Sequence, residues 1–598
     1  MSLPPEVAVG ESKVTRTAHA MLVPWGLFAR QYKLVQALEE VSIPQRSREH
    51  RPQTKLIEFL VAILSGCAYL RDISLGPHPL DHDQAVAEAW GQPAWAHYSG
   101  VSRTLSACTP ETVEAIRAAT ARFSSPFIDR EVVLSLQKKG AIFYDGDLTG
   151  RPVANTSTTY PGVAFGWMDD AVHLGYQAAM VSMHSPTYGR VWLSVTPHPG
   201  NTVSCTQAEA LVRAAEARTG VRPLRRTDLL VRRIHQRQEE LHQAQERLQS
   251  RKTRSQEASQ HLSQTAQEWR ERLAEVAHLQ ELEPPQERSE RPYSRLAKAR
   301  RKVGVLWRRL RRRSREWQRA RQAVVRQEAR VAELQAELAA LEKRHARFVE
   351  ENRTNRSPVR AVFRLDGGFG TGENMALLSE MGYEVYSKAY SNRVTQAVRR
   401  RLTVMSSWTR VGDNAEMVAW KDLRLDFCPY PLDVGLEHFY TGQKECYALL
   451  LHYGSETVTE DLPGWFSFYN GRQTIEAGVK EGKHVFQVHH LKVRSEAGLA
   501  IQEEFSALAA NLVRWAALWL HEQCPGARPP FDQPQASVKQ MVRVAANTSA
   551  LVFWQPEGHL LLKFDELSSF AGSELWIGQG GAFQLPLPLF KSDDFSTI

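Results

Sequence analysis

Apolar positions along this chain follow different periods in different stretches, and one period is sustained far longer than the rest. Between residues 222 and 350, Ile234, Leu241, Leu248, Leu262, Trp269 and Val276 recur every seven residues, with Ser255 as the one defect. Leu296, Val303, Leu310, Trp317, Val324, Val331 and Leu338 repeat without a break, and Leu306, Leu334 and Leu341 occupy the intermediate position. A seven-residue period keeps one helix face on a partner, so two long helices packed as an antiparallel coiled coil are expected. Pro284, Pro285 and Pro292 cannot continue a helix interior and mark the break between the arms. At about 1.5 Å per residue each arm is expected to reach on the order of 75 Å.

Shorter patterns flank this segment. Residues 20–125 carry helical stripes interrupted at Gly76-Pro77 and Gln92-Pro93. Within them, residues 85–90, a turn at 91–93 and a second helix holding Ser102, Arg103 and Thr104 fit a helix-turn-helix. Residues 59–70 are strongly apolar but too short to span a bilayer, and they are expected as a buried helix. Residues 141–150 read as an apolar strand running into Asp145 and Asp147 and then a glycine turn. Residues 359–369 form a second strand that ends in Asp366-Gly367-Gly368. Period-two geometry places Phe143, Asp145 and Asp147 on one side, so either aspartate could face a metal. Residues 404–462 carry short alternating strands.

Charge is uneven. Residues 222–350 hold 32 Lys and Arg against 18 Asp and Glu, a surplus larger than the +9 of the whole chain, so everything else is net acidic. The surplus peaks where Arg308, Arg309, Arg311, Arg312, Arg313 and Arg315 crowd around Trp307. Cations this dense repel one another unless a polyanion is near, which points to DNA phosphate, with dimerisation through the arms as the competing use. At 598 residues the chain must divide into more than one core. Its six cysteines show no Cys-x2-Cys pairing, so neither a zinc site nor a disulfide framework is expected. The first residues lack a charged start followed by an apolar core, and a cytoplasmic, nucleoid-associated protein with reduced thiols is expected.

The chemistry concentrates in Tyr469, Arg472, Glu476 and Lys483. On one helix these offsets fall within an arc of roughly 60°. A carboxylate flanked by a phenol and two cations suits a surface where a metal ion meets a phosphodiester. Together with the two Asp-tipped strands, the chain resembles the DDE transposases of bacterial insertion sequences, in the subgroup with a Tyr-x2-Arg-x3-Glu-x6-Lys signature. Gly175-Tyr176-Gln177-Ala178, Pro197-His198-Pro199-Gly200-Asn201 and Asn511-Leu512-Val513-Arg514-Trp515 also resemble that family's pattern.

The resemblance implies an α/β RNase H-like catalytic core with a helical N-terminal domain, a long antiparallel coiled-coil insertion and a small β-rich insertion. The implied segments are a helical DNA-binding domain at 1–130, core segments at 138–221, 357–403 and 463–525, the basic hairpin at 222–350, the β-rich insertion at 404–462 and a C-terminal region at 526–598. Asp147, Asp366 and Glu476 are implied as the catalytic acids and ligands of Mg²⁺, with Mn²⁺ able to substitute; Asp145 is the alternative first acid. Tyr469, Arg472 and Lys483, with Arg308, Arg309 and Arg312 of the arm, are the expected DNA contacts. Trp465, Phe466 or Trp420 is the expected partner of an unpaired base. Metal-dependent strand cleavage and transfer on double-stranded DNA by a synaptic homodimer follows, against the alternative of a catalytically inactive transposase-derived DNA-binding protein.

Overall fold

The computed structural model describes residues 13–282, 292–524 and 537–578, apart from 47, 405, 456, 556–558 and 567. The chain divides into two units, one made of residues 1–224 and 355–598 and the other of residues 225–354.

In the larger unit, β1 (Lys13–Thr17) leads into helices that include Leu22–Gln31, Pro52–Leu64, Tyr98–Ala107 and the 30-residue Pro110–Lys139. The strands β2 (Ile142–Pro152), β3 (Ala164–Met168), β4 (Ala171–Ser185) and β5 (Gly189–Pro199) follow. After the second unit come β6 (Ala361–Leu365), β7 (Glu384–Lys388), β8 (Thr409–Arg410), β9 (Ala415–Leu423), β10 (Leu432–Thr441) and β11 (Lys444–Tyr453). Two helices, Leu462–Asn470 and Gln473–His484, precede the long helix Glu496–Gln523, and β12 (Ala550–Trp554), β13 (Leu560–Phe564) and β14 (Glu574–Ile577) close the described chain.

Ten strands form one mixed sheet in the order β3-β4-β2-β6-β7-β11-β10-β9-β8, with β5 also paired to β4. β2, β6 and β7 run parallel at its centre. All five residues of β6 are buried, as expected of a strand covered on both faces. Residues 404–462, expected as a β-rich insertion, carry β8 to β11, and these prolong the sheet because β11 pairs with β7 from Leu450↔Lys388 to Tyr453↔Val385. The protein is therefore mixed α/β with a helical N-terminal region.

The helix Glu496–Gln523 runs through the core of this unit, with most of its residues buried. Phe127 stacks on its Trp515 at 4.6 Å between ring centroids. Polar groups that a helix brings into such a core must be paired. Arg151 of β2 donates to Glu503 at 2.8 and 3.3 Å. Asn511 accepts from the Trp192 amide at 2.9 Å and donates to the Trp192 carbonyl at 2.8 Å, satisfying β5 where its register with β4 shifts. The Asn511 to Trp515 motif thus has a packing role.

The N-terminal region does not end at residue 130, since its last helix continues to Lys139 and β1 pairs antiparallel with β12 from the far end of the described residues. Glu58, on Pro52–Leu64, is fully buried; one oxygen accepts from the Ala96 amide at 2.9 Å and the other has no partner among the described residues. Burial pushes its carboxyl up to about 9. The helix-turn-helix pattern appears as Gln84–Ala89 and Tyr98–Ala107, but Thr104 is buried and donates to Gln45, leaving Arg103 outward on that helix.

The second unit is the expected helical hairpin, Thr227–Leu282 against Arg295–Thr354. Ala244, Val331 and Leu334 pack with Leu241 and Leu248, and further along Val276, Leu296 and Ala299 pack with Leu279 and Val303. Arg237 pairs with Glu337 at 3.2 Å and Lys252 with Glu328 at 3.0 Å, which sets the arms antiparallel. Pro284 and Pro285 lie outside the described residues. Arg308, Arg309 and Arg312 are exposed, Arg312 lying 3.7 Å from Glu316. Among the described residues no helix is long and apolar enough to cross a membrane.

Candidate functional site

The parallel pairing of β2 and β6 ends at Gly146↔Leu365, so Asp147 and Asp366 are the next residues on two neighbouring strands. Strands running parallel in register bring residues 219 positions apart in sequence to adjacent places, which neither strand alone could do. β6 stops at Leu365, and a short 3₁₀ turn, Gly367–Phe369, carries the chain away and leaves the half-exposed Asp366 side chain at the strand tip.

The third acid arrives from a different direction. Tyr469, Arg472, Glu476 and Lys483 do not share one continuous helix, since Leu462–Asn470 ends and Gln473–His484 begins on either side of Gly471 and Arg472. The interruption has a local cause. The Phe468 carbonyl accepts from Arg364 at 2.8 Å, while the Arg472 amide bonds back three residues to Tyr469. A buried guanidinium thus takes over a carbonyl that the helix ladder would otherwise use.

Arg472 is the hub. Its Nη2 lies 3.2 Å from Asp366 Oδ1 and 3.2 Å from Glu476 Oε1, so those two carboxylate oxygens are separated by no more than twice that distance. Asp147 stands in the same electrostatic field. Burial, then the Asp366 charge, and more weakly Glu476 push its carboxyl up to about 7, against the pull of Arg472 and of the Leu148 amide, which donates to it at 2.8 Å. Burial alone lowers the Arg472 guanidinium, but Tyr469, Asp366, Asp147 and Glu476 together raise it above its usual value. Three acids and one cation crowd the floor of a cleft of about 1020 Å³, whose walls include Gln177, Asn201, Ser204 and Tyr390.

Asp145 is not part of this group. It is buried, and Arg364 grips it with two hydrogen bonds, Nε at 2.7 Å and Nη2 at 2.9 Å, in a pair whose side chains are 5 % and 2 % exposed. A carboxylate held this way is committed to balancing the guanidinium, so the alternative first acid is a structural residue and Asp147 is the one facing the cleft. Tyr469 is also turned inward; its hydroxyl donates to the Leu365 carbonyl at 3.2 Å, and its ring packs in the core with Trp465. Lys483 reaches the cleft's rim, where it pairs with Asp169 at 3.0 Å. Trp465 is 3 % exposed, which removes it from reach of an unpaired base, while Phe466 is half-buried beside it.

The helix bearing Glu476 is fixed from behind. Arg514 donates to both oxygens of Glu481, at 2.8 and 2.9 Å, tying that helix to Glu496–Gln523. Gly478 lets it lie flat on β5, since a Cβ there would meet Trp192 Cζ2 at 2.7 Å and Arg190 Nη1 at 1.8 Å. That contact explains a glycine which in an isolated helix costs about 1 kcal/mol relative to alanine.

Three oxygen-donor side chains within one charge cluster suit a hard divalent cation, and a carboxyl raised to about 7 by burial and then by its neighbours' charges is the kind of group such a cation would ionise. Arg472 stands between two of the acids, and among the described residues no group of three His, Cys, Asp or Glu is already set to hold an ion. Reasoning from sequence missed Arg364, whose place in a strand otherwise made of apolar residues was the available signal, and the wall of the cleft at 165–170. No protein-family model matches this chain, and no curated protein is significantly similar to it.

Proposed function

We propose that this chain is a DDE transposase with an RNase H-like core, which binds the ends of its insertion sequence and catalyses metal-dependent strand cleavage and strand transfer. The observation that carries the reading is the meeting of Asp147, Asp366 and Glu476, from three separate segments, around Arg472 in one open cleft. The family resemblance of these residues and of the Tyr469 to Lys483 signature supports it.

Asp147, Asp366 and Glu476 would hold Mg²⁺, with Mn²⁺ able to substitute. The chemistry such ions supply when bound is a more acidic water or 3′-hydroxyl and neutralisation of charge on the phosphodiester. Arg472, which lies 3.2 Å from both Asp366 and Glu476, would offer its donors to a phosphate oxygen. Lys483, held at the rim by Asp169, directs its remaining donors to a second phosphate, and Tyr469 supports the site from below by fixing the end of β6. In the second unit, Arg308, Arg309 and Arg312 offer exposed charge to the DNA backbone, and a homodimer brings two ends together.

The test is Glu476→Gln in full-length protein incubated with duplex carrying the element's flanking repeats and Mg²⁺. The wild type nicks at the boundary and leaves a 3′-hydroxyl, while the variant binds with similar affinity and leaves the DNA intact. A variant that still nicks removes Glu476 from the chemistry. The position of Arg472 between two acids favours one competing reading, a DNA-binding protein that no longer cleaves, and failure of the wild type to nick in either Mg²⁺ or Mn²⁺ selects it.

A further inference from the structure

The cleft that holds the acids also exposes two aromatic rings that the reading above leaves idle. β3 is an edge strand paired only with β4, and its exposure alternates. Phe165 is 55 % and Trp167 68 % exposed, and both line the cleft together with Asp147, Asp366 and Glu476. The intervening Gly166 is pressed against the chain at Gly200, where a Cβ would meet the Gly200 carbonyl oxygen at 1.7 Å, and Met168 is buried. One face of the strand is thus seated on the sheet's end and the other holds two large apolar groups in water, a costly arrangement on a lone protein.

The frame under these rings is fixed. Asp169 and Asp170 both have positive φ, 47° and 65°, which closes β3 and β4 into a tight hairpin. Lys483 holds the tip through Asp169 at 3.0 Å, and Gln177 donates to the Trp167 carbonyl at 3.0 Å. Alternate residues of a strand stand about 6.6 Å apart. That is twice the roughly 3.4 Å repeat of stacked bases, so rings at this spacing suit a base between or beside them.

We propose that Phe165 and Trp167 form a stacking platform for unpaired bases next to the phosphate that the three acids act on. The inference rests on the function proposed above, and it names where the substrate strand lies. Occupancy by nucleotides follows from continuity with the acid floor: whatever places a phosphodiester at Asp147, Asp366 and Glu476 brings the attached bases against the cleft wall. Bases freed from a duplex lose stacking, and an aromatic wall restores it without reading sequence.

The experiment compares full-length wild type with Trp167→Ala, Phe165→Ala and Trp167→Tyr. Nicking is measured in Mg²⁺ on two duplexes, one fully paired and one mismatched for two base pairs beside the boundary. Either alanine variant is expected to slow nicking of the paired duplex on the order of tenfold or more, with less effect on the mismatched one. Trp167→Tyr is expected to keep most of the rate, and the salt dependence of binding is expected to stay as in the wild type, because no phosphate contact is lost. Equal rates for wild type and Trp167→Ala on the paired duplex overturn this proposal alone. A DNA-free change of oligomeric state in Trp167→Ala, seen by sedimentation, also overturns it, since a second copy then covers the strand. Absence of nicking by the wild type on either duplex overturns the functional reading and this inference with it.

Discussion

Asp145 and Asp147 are two residues apart on one strand, yet replacing each by asparagine has opposite expected consequences. Asp145→Asn takes the charge from a pair whose members are 2 % and 5 % exposed and leaves Arg364 buried with no counter-charge from its strand neighbour. Breaking a buried pair from one side typically costs about 3–5 kcal/mol. The upper half of that range is expected here, because Arg364 also holds the Phe468 carbonyl beside the break that positions Arg472. Asp147→Asn removes one of three crowded negative charges, so in EDTA its stability is expected to equal or exceed the wild type. The assay is urea unfolding of both variants at pH 7.5 in EDTA, followed by tryptophan fluorescence and circular dichroism, with nicking measured on the folded proteins. Asp147→Asn is expected folded and inactive. An Asp145→Asn variant as stable as the wild type, or an Asp147→Asn variant several kcal/mol weaker, refutes the assignment of roles.

Glu58 is neutral in the fold with its carboxyl near 9 and ionised in the unfolded chain above about 4.5, so the unfolded state releases the proton first and stability falls as pH rises from about 4.5 to 9. Glu58→Gln is therefore expected to raise stability by up to about 5 kcal/mol at pH 8 and to change it little at pH 4.5, read by urea titration at both values. Gly478→Ala gains helix propensity but is expected to lose about 1–3 kcal/mol net against Trp192 and Arg190, seen as a lower unfolding midpoint with nicking reduced in step. Deleting residues 226–346 is expected to weaken DNA binding and flatten its salt dependence, while an unchanged slope assigns the arm to another use.

The hairpin was the most legible feature in the sequence, because a seven-residue period sustained through Leu296 to Leu338 has few other solutions, and the helices observed begin and end within a few residues of the expected bounds. Asp366 was legible as a strand tip, whereas Asp147, expected at a strand end before a glycine turn, lies within β2, whose pairing with β4 carries it on to Pro152. Their adjacency was not legible, since it depends on the parallel register of β2 and β6, which no local pattern encodes. The arc drawn through Tyr469, Arg472, Glu476 and Lys483 assumed an unbroken helix. It failed at Gly471 because a tertiary contact from Arg364 competes for the helix's own carbonyl. The same blindness to tertiary pairing left Asp145 and Asp147 as rivals; only the position of Arg364 across the sheet separates them. β1 pairs with β12 more than 500 positions away, and strand pairing at that separation has no sequence signal.

The central claim is that Asp147, Asp366 and Glu476 share divalent cations. Crystals of the full-length protein bound to its end DNA in Mn²⁺, with diffraction recorded at the manganese edge, test this most directly. Anomalous peaks within about 2.0–2.3 Å of oxygens from all three residues, with Arg472 turned away to a phosphate, are the expected result. A fully occupied DNA complex in saturating Mn²⁺ with Arg472 still between Asp366 and Glu476, and no anomalous peak beside them, contradicts it.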